Sequence, residues 1–377
     1  MRLFIDTTSL LGEETGIGRY ARQIALAAAR SSMFETHFSP CNPTQAKTDS
    51  PGLLVRCKKV LATHPTLYQT AKNVFNACRY MASWKHGPQY DCYFEPNFIL
   101  RSSVRSRTAV VTAHDLSCFR YPEWHPAERV RYMERHFQRS LARATRIITV
   151  SEAVRQELLA KYGLAEGRVV TIPNGVDHAV FHPMSVEQCA LVRQMYHLPE
   201  HFVLHVGTLE PRKNQYNLLL SHTTLPEPLR KKYPLLLAGA VGWGNAALYD
   251  TIKSTPHVHW LGYVPDAELA ALYTMADVMV YPSWYEGFGL PVAEAMACGC
   301  PVLTSTDPAL VETSGGAARH VPPHLVDTIR AVLKELLEDV DQRRAMRQLG
   351  MQRAATFSWE ASMKRHLQLF WELCLNL

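Results

Sequence analysis

Residues 278–304 read VMVYPSWYEGFGLPVAEAMACGCPVLT. Val278–Tyr281 is an apolar, β-branched run with the length of a strand buried on both faces. A glycine-bearing loop follows it. Pro291 fits the first turn of a helix over Pro291–Cys298, and Gly299 fits its stop. Pro301–Thr304 is a second apolar strand. A strand, a helix and a strand in one short stretch predict parallel strands with a helix laid across them.

The same alternation runs through the chain in both directions. Candidate strands are Arg2–Asp6, Ala109–Ala113, Arg146–Val150, Val169–Pro173, Phe202–Val206, Pro234–Ala238 and Val258–Leu261, and candidate helices include Arg19–Arg30, Glu152–Tyr162 and Asp266–Met275. The pattern pauses at Asn174–Pro183, where Asn-Gly signals a turn and a proline follows. The expected class is α/β, with two Rossmann-like domains split at about 178–200: residues 1–180 and residues 195–357. Residues 358–377 read as an amphipathic terminal helix.

A chain of 377 residues suits two domains, and 47% hydrophobic with 20% charged residues is an ordinary globular balance. No apolar run reaches the roughly 18 residues of a membrane span, and the N-terminal residues read as a strand rather than a signal peptide. The expected location is cytoplasmic. Nine scattered cysteines with no Cys-x-x-Cys pair exclude a disulfide scaffold or a zinc ribbon and predict reduced, mostly buried thiols. The net charge of +6 is uneven: residues 1–180 hold 24 basic against 15 acidic side chains, the remainder 16 against 19. A basic first half suits an anionic partner, either a phosphate-bearing acceptor or an acidic membrane face. Ser50–Tyr90 carries six basic residues, no acidic one and many apolar ones. It reads either as a basic amphipathic surface element or as a partly buried helical hairpin with a solvated basic face.

Four constellations carry chemistry. In the opening stretch, Glu286 lies in the glycine-bearing loop and Glu294 in the first helical turn. Gly287 and Gly289 let backbone N–H groups approach a ligand, and a helix N-terminus favours phosphate. A phosphate repels a carboxylate, so each Glu is expected to accept from sugar hydroxyls instead. Second, GTLEPRKN at 207–214 puts Arg212 and Lys213 after a strand and before a helix. Two cations at a helix start oppose its dipole, and an anion between them relieves that cost. Third, His114-Asp115-Leu116 ends a strand, where α/β sheets open onto their binding crevice. Fourth, GIGRYA at 16–21 matches the dinucleotide fingerprint formally, but ten residues separate Gly16 from Asp6. The tight phosphate turn is therefore excluded, and the segment is expected to be a flexible loop that closes on the cleft and opens a helix. Asp339-Val340-Asp341 resembles a metal-binding Asp-x-Asp but sits among charged helical residues, and no metal is expected there or elsewhere.

The Glu286 and Glu294 pair with Gly287-Phe288-Gly289, the Arg212-Lys213 pair, the Gly16/Gly18 segment and PNGVD at 173–177 together resemble the retaining glycosyltransferases of family 4, of the GT-B fold. The run YPEWHPAERVRY at 121–132 and His114-Asp115-Leu116 resemble the mannosyltransferase B-like subgroup, which builds O-antigen and other bacterial polysaccharides. The resemblance implies an acceptor-binding N-terminal domain and a donor-binding C-terminal domain, with the terminal helix crossing back onto the first. It implies that Arg212 and Lys213 hold the donor diphosphate, that Glu294 accepts from the ribose hydroxyls, and that Glu286 with the Gly287–Gly289 amides holds the sugar. His114 would contact the transferred sugar, and Gly16 and Gly18 would let the N-terminal segment approach the diphosphate. Thr208, Phe288 and Leu290 complete the implied donor-binding set. The anomeric configuration would be retained without a well-placed protein nucleophile, the leaving diphosphate helping to deprotonate the acceptor.

The implied reaction moves a hexosyl group, mannose from GDP-mannose in this subgroup, to a saccharide or lipid-linked acceptor. No cofactor and no nucleic-acid partner are expected. Contact with an anionic membrane through Leu53–Lys85 follows if the basic segment is a surface element. Two other functions compete: a sugar-nucleotide epimerase on the same fold, and a non-catalytic partner subunit.

Overall fold

The computed structural model describes residues 1–11, 15–43, 89–242 and 246–375. The segment Leu53–Lys85, expected to contact a membrane, lies wholly outside them.

Among the described residues the strands form two six-stranded parallel sheets. The first contains β1 (Arg2–Asp6), β2 (Glu35–Ser39), β3 (Tyr90–Glu95), β4 (Ser106–Ala113), β5 (Arg146–Thr149) and β6 (Val169–Thr171), in the order β2-β1-β3-β4-β5-β6. The second contains β7 (Val203–Val206), β8 (Leu235–Ala238), β9 (Val258–Gly262), β10 (Val278–Tyr281), β11 (Val302–Ser305) and β12 (Arg319–Val321), in the order β12-β11-β10-β7-β8-β9. Counted from its own first strand, the second order is the doubly wound 3-2-1-4-5-6 pattern in mirror listing. Its winding reverses between β7 and β10, so a crevice opens beyond the carboxyl ends of those two strands.

Alternation along the strands makes two cores per sheet. In the first sheet Leu3, Ile5, Cys92 and Phe94 face Tyr20, Ile24, Trp359 and Phe370. Phe4, Tyr93, Val111 and Ile147 face Met133, Phe137 and Leu141 on the other side. The second sheet repeats this with Leu204, Met279 and Val302 against Val292 and Met296 on one face. Val203, Leu235, Val280 and Leu303 meet Leu218, Ile329 and Leu333 on the other.

Three strands have no counterpart in the sequence pattern. β2 and β12 are short edge strands in which every residue but Val321 is exposed or half-buried, and edges need no apolar run. β3 is central, but Asp91 and Glu95 interrupt it; Asp91 accepts from the Arg2 backbone N–H at 2.8 Å. The segment read as linker holds the helix Val186–Met195, closed by a capping box of Ser185 and Gln188. Val176, Phe181, Val192 and Leu198 join the core of the second sheet, so the chain changes allegiance directly after β6.

The terminal helix Trp359–Leu375 packs on the first sheet, with Trp359, Phe370 and Leu373 in its core. Gly175 makes the crossing possible, because a Cβ there would lie 2.1 Å from the Trp359 backbone nitrogen. Tyr20 Oη meets Thr112 Oγ1 at 2.8 Å and His366 Nε2 at 2.7 Å, so the first helix, β4 and the terminal helix are pinned at one point. His366 Nδ1 lies 2.7 Å from the Ser362 carbonyl, which can only accept. Nε2 is therefore the acceptor for Tyr20, and burial lowers this imidazole to about 4, keeping it neutral. Among the described residues no helix is long and apolar enough to cross a membrane.

Candidate active site

The loops after β7 and β10 meet at the point where the second sheet reverses. Arg212 and Lys213 sit in the turn Pro211–Lys213, ahead of the helix Gln215–Thr223 rather than on it, and Asn214 makes the join with φ 58°. Glu286 occupies the position between the two cations that the sequence pattern reserves for an anion. Arg212 Nη1 donates to Glu286 Oε2 at 2.6 Å, and Lys213 Nζ donates to Oε1 at 2.7 Å. Tyr281 Oη also donates to Oε1 at 3.0 Å and receives Lys213 Nζ. The second nitrogen of Arg212 reaches Glu210 Oε1 at 2.7 Å. Burial alone raises a carboxyl, yet Arg212 and Lys213 outweigh it and hold Glu286 at about 2. Burial lowers Lys213, with Arg212 pushing the same way and Glu286 opposing. This is a buried, hydrogen-bonded charge cluster, with Tyr281 and Glu210 as members the sequence pattern does not reveal.

The other residues of the β10 loop divide by role. Gly287 is required by the opposing domain: a Cβ there would lie 1.9 Å from the His114 carbonyl oxygen. Its own carbonyl accepts from Ser151 Oγ at 2.6 Å. Phe288 turns into the core and packs edge-on against Phe357, with ring centroids 5.2 Å apart. Gly289 caps the helix Leu290–Ala297 at φ 87°, and Leu310 fills the space its Cβ would take. Leu290 faces Gly16 across the cleft, 3.6 Å from where a Cβ would stand. Glu294 lies in the second turn of this helix, not the first as expected, because the helix starts at Leu290. Thr208 is half-buried and its carbonyl accepts from Gln215 Nε2 at 2.8 Å.

Glu294 is held by a residue the sequence reading passes over. Arg19 Nη1 donates to Glu294 Oε1 at 2.6 Å, and Nη2 reaches both oxygens of Asp266 at 2.7 and 2.8 Å. Arg19 belongs to the helix Gly16–Arg30 of the first domain, so this ion pair bridges the cleft. Burial pushes the Glu294 carboxyl up to about 7, with Arg19 opposing and Asp266 reinforcing the rise. The expected flexible loop at Gly16–Gly18 is instead the first turn of that helix. Thr15 Oγ1 accepts from the Gly18 N–H at 3.1 Å, and a Cβ on Gly18 would meet the Ser9 carbonyl oxygen at 2.9 Å. A capping threonine makes the segment a helix start.

His114 ends β4 as expected, but its Nε2 is turned inward to the Pro96 carbonyl at 2.7 Å. A carbonyl accepts only, so Nε2 carries the proton and Nδ1 the lone pair. Burial lowers this imidazole against the pull of Pro96 and Asp115, and it is neutral. Beside it, at the carboxyl ends of β1 and β3, lie Asp6 and Glu95. Arg101 Nε pairs with Asp6 at 2.7 Å, and Tyr93 Oη donates to Glu95 at 2.8 Å. Two further contacts seal the cleft. Tyr285 Oη accepts from the Leu116 N–H at 2.9 Å and donates to Glu157 at 2.7 Å. Glu312 accepts from the N–H groups of Glu152 and Ala153 at 2.8 and 2.9 Å, capping a helix of the opposite domain.

Asp339 caps the helix Val340–Ala354 through the Gln342 N–H, and Asp341 pairs with Arg344 at the surface. Among the described residues no three His, Cys, Asp or Glu side chains gather as a metal site. Cys41, Cys92, Cys118, Cys189, Cys298, Cys300 and Cys374 are all unbridged.

Two doubly wound sheets facing each other across a cleft, with charged groups at the carboxyl strand ends, define the GT-B architecture. Solved structures with this fold cover nearly all of the chain. Sucrose-phosphate synthase from Thermosynechococcus elongatus superposes with a TM-score of 0.72 at 23% identity, covering 100% of both chains. Anabaena HepE, solved with UDP and glucose, superposes at 0.71 and 18% identity, covering 98% of this chain and 99% of its own. In sequence, residues 15–180 match the family described as Glycosyltransferase Family 4, and residues 196–353 the one described as Glycosyl transferases group 1. O-antigen chain mannosyltransferase B of Escherichia coli is 36% identical, covering 96% of this chain and 97% of its own length. The chain belongs to the family-4 glycosyltransferases.

Proposed function

We propose that this protein is a retaining, metal-independent mannosyltransferase, taking mannose from GDP-mannose and adding it to a saccharide or lipid-linked saccharide of a bacterial polysaccharide such as O-antigen. The observation that carries the reading is the buried Arg212–Lys213–Glu286 cluster at the reversal of the second sheet. The similarity to O-antigen chain mannosyltransferase B supports the choice of sugar.

The residues divide the work as follows. Arg212 and Lys213 stabilise charge that grows on the donor diphosphate as its bond to C1 breaks. Because both are already ion-paired, they are oriented before the donor arrives, and their attraction is shared with Glu286 until a phosphate oxygen takes part. Glu286, ionised at any physiological pH, accepts from hydroxyls of the transferred sugar. Glu294 accepts from the ribose, exchanging some of its contact with Arg19. The acceptor oxygen bonds to C1 on the face the diphosphate leaves, and its proton passes to a phosphate oxygen. Thr208 and the backbone of Gly287–Leu290 line the donor, and neutral His114 offers Nδ1 to the sugar. In this reading the first domain, with the terminal helix, holds the acceptor, and the second holds the donor.

Incubation with GDP-mannose and UDP-sugars, with and without EDTA, tests this directly, the product anomer being read by NMR. GDP-mannose should be consumed in EDTA with the α configuration kept. Turnover only of UDP-sugars, a need for magnesium or manganese, or inversion would overturn the corresponding part. Peripheral contact with an anionic membrane through Leu53–Lys85 belongs to the same reading. Flotation on anionic but not neutral vesicles, weakened by salt, is its test.

A further inference from the structure

Four rings form a row at the mouth of the cleft: Tyr121, Trp124, Trp284 and His324. Tyr121 and Trp124 stack with centroids 3.9 Å apart and planes 14° from parallel. Trp124 and Trp284 are 6.5 Å apart, and Trp284 and His324 are 6.5 Å apart at 13°. The row crosses between domains. Tyr121 and Trp124 flank the short turn Pro122–Trp124 beyond β4, Trp284 follows β10 and His324 follows β12. Tyr121, Trp124 and Trp284 are half-buried and His324 is exposed, and none of the four belongs to any of the hydrophobic cores. Large aromatic rings gathered outside every core, each next to the one before, call for an explanation other than packing.

Position supplies one. The Trp284 N–H donates to the Arg212 carbonyl at 2.9 Å, and the Tyr285 carbonyl accepts from Arg212 Nη1 at 3.0 Å. Trp284, the third ring of the row, therefore stands at the wall of the cation cluster. At one end of the row Tyr121 meets Tyr285 edge-on at 5.9 Å, and the Arg120 guanidinium lies 5.5 Å from both rings. His125, next after Trp124, is close enough to Asp115, Arg212 and Glu210 to feel their charge. Glu294, which holds the nucleoside side in the proposed function, lies on the helix beyond Glu286, so the row flanks the end of the site where the sugar is transferred.

A pyranose has one face of C–H groups, and such a face packs on an aromatic plane that a charged or hydroxylated surface could not match. We propose that Tyr121, Trp124, Trp284 and His324 form a saccharide-binding rim for the sugar units of the acceptor that precede the reacting hydroxyl. The inference rests on the glycosyl-transfer reading of the cleft. The rim presents four rings rather than one, so it is expected to take more than one sugar unit. It also takes residues from both domains, so a long acceptor favours the closed arrangement and a single sugar does not.

Calorimetric titration of α-linked mannotriose and of methyl α-mannoside into the full chain with GDP present tests the rim. GDP-mannose is titrated separately as the donor control. Mannotriose should bind more tightly than the monosaccharide. Trp124→Ala and Trp284→Ala should each weaken mannotriose severalfold to about tenfold, and Trp124→Phe should restore part of the loss. Mannotriose affinity unchanged in both alanine variants overturns the inference, as does equal binding of mono- and trisaccharide or no binding to the wild type. An equal loss of GDP-mannose and mannotriose binding in both variants also overturns it, because the rings then only support the fold. If mannotriose binding depends on the rim while GDP-mannose does not bind at all, the donor assignment fails and the rim stands.

Discussion

At the scale of single residues, the site is a set of charges that neutralise one another before any ligand arrives. Arg212 and Lys213 face Glu286 and Glu210; Arg212 is half-buried and the other three are buried. Removing one partner does two things. It removes charge stabilisation from the transition state, worth ~2–4 kcal/mol, or about a hundredfold or more in kcat. It also leaves the buried Glu286 with one cation in place of two, which lowers stability. Arg212→Ala and Lys213→Ala should therefore lower kcat by two orders of magnitude or more and also lower Tm. Near-wild-type turnover in both would remove them from the reaction. Glu294 gives a pH test. Its folded carboxyl holds a proton up to about 7 against an ordinary value of 4.5. Its contribution to stability is thus fully present below 4.5 and is lost as the pH rises through 7. Denaturant melts at pH 4.5 and pH 8 should show a smaller drop for Glu294→Gln than for the wild type, and an equal drop would mean that Glu294 is ionised throughout.

At the scale of elements, the βαβ unit at 278–304 does more than carry two glutamates. Its loop is a docking surface for the opposite domain. Gly287 fits under His114 only because it has no Cβ, and Ser151 fixes its carbonyl from the same side. The neighbouring atom is backbone and cannot swing away. Gly287→Ala should push the two domains apart at this point, and a displacement of about 1 Å can cost a hundredfold in rate. Measured side by side, kcat should fall strongly while GDP affinity, which in the proposed function rests mainly on the second domain, changes little. Retained kcat would show that the contact is not part of the working closed form. The helix Leu290–Ala297 was legible in its start and stop signals, proline near the front and glycine behind. Its start at Leu290 was not, because Gly289 caps it in a left-handed conformation that no polar capping side chain announces.

At the scale of the whole molecule, Arg19 is the most direct link between the domains. One guanidinium from the first helix satisfies Asp266 and Glu294 together, in the fork geometry that suits carboxylates. In the proposed function the same contact occupies an oxygen of Glu294 that the ribose would use. Opening the cleft must break it, and donor entry must compete with it. Arg19→Ala should give a larger radius of gyration by small-angle scattering in the absence of donor, and a lower Tm. Scattering identical to the wild type would place the closing force elsewhere, with Glu312 on the Glu152 helix and Tyr285 between Leu116 and Glu157.

The sequence by itself determined the α/β class, the doubling into two sheets and the strand ends at which Arg212, Lys213 and Glu286 lie. Strand runs such as Val278–Tyr281 and cations placed after β7 are local patterns, and burial on both faces of a parallel sheet demands them. It also pointed to an anion between Arg212 and Lys213, because two cations ahead of a helix oppose its dipole. Only the tertiary structure decided that Glu286, more than seventy residues away, is that anion. The same holds for Arg19 and Glu294, Gly287 and His114, and Trp124 and Trp284: each pair is separated by well over a hundred residues and meets because two domains close on one cleft. Spacing along the chain can place a residue at the end of a strand. Which residue stands opposite is set by how two independently folded cores pack, and no local pattern encodes that.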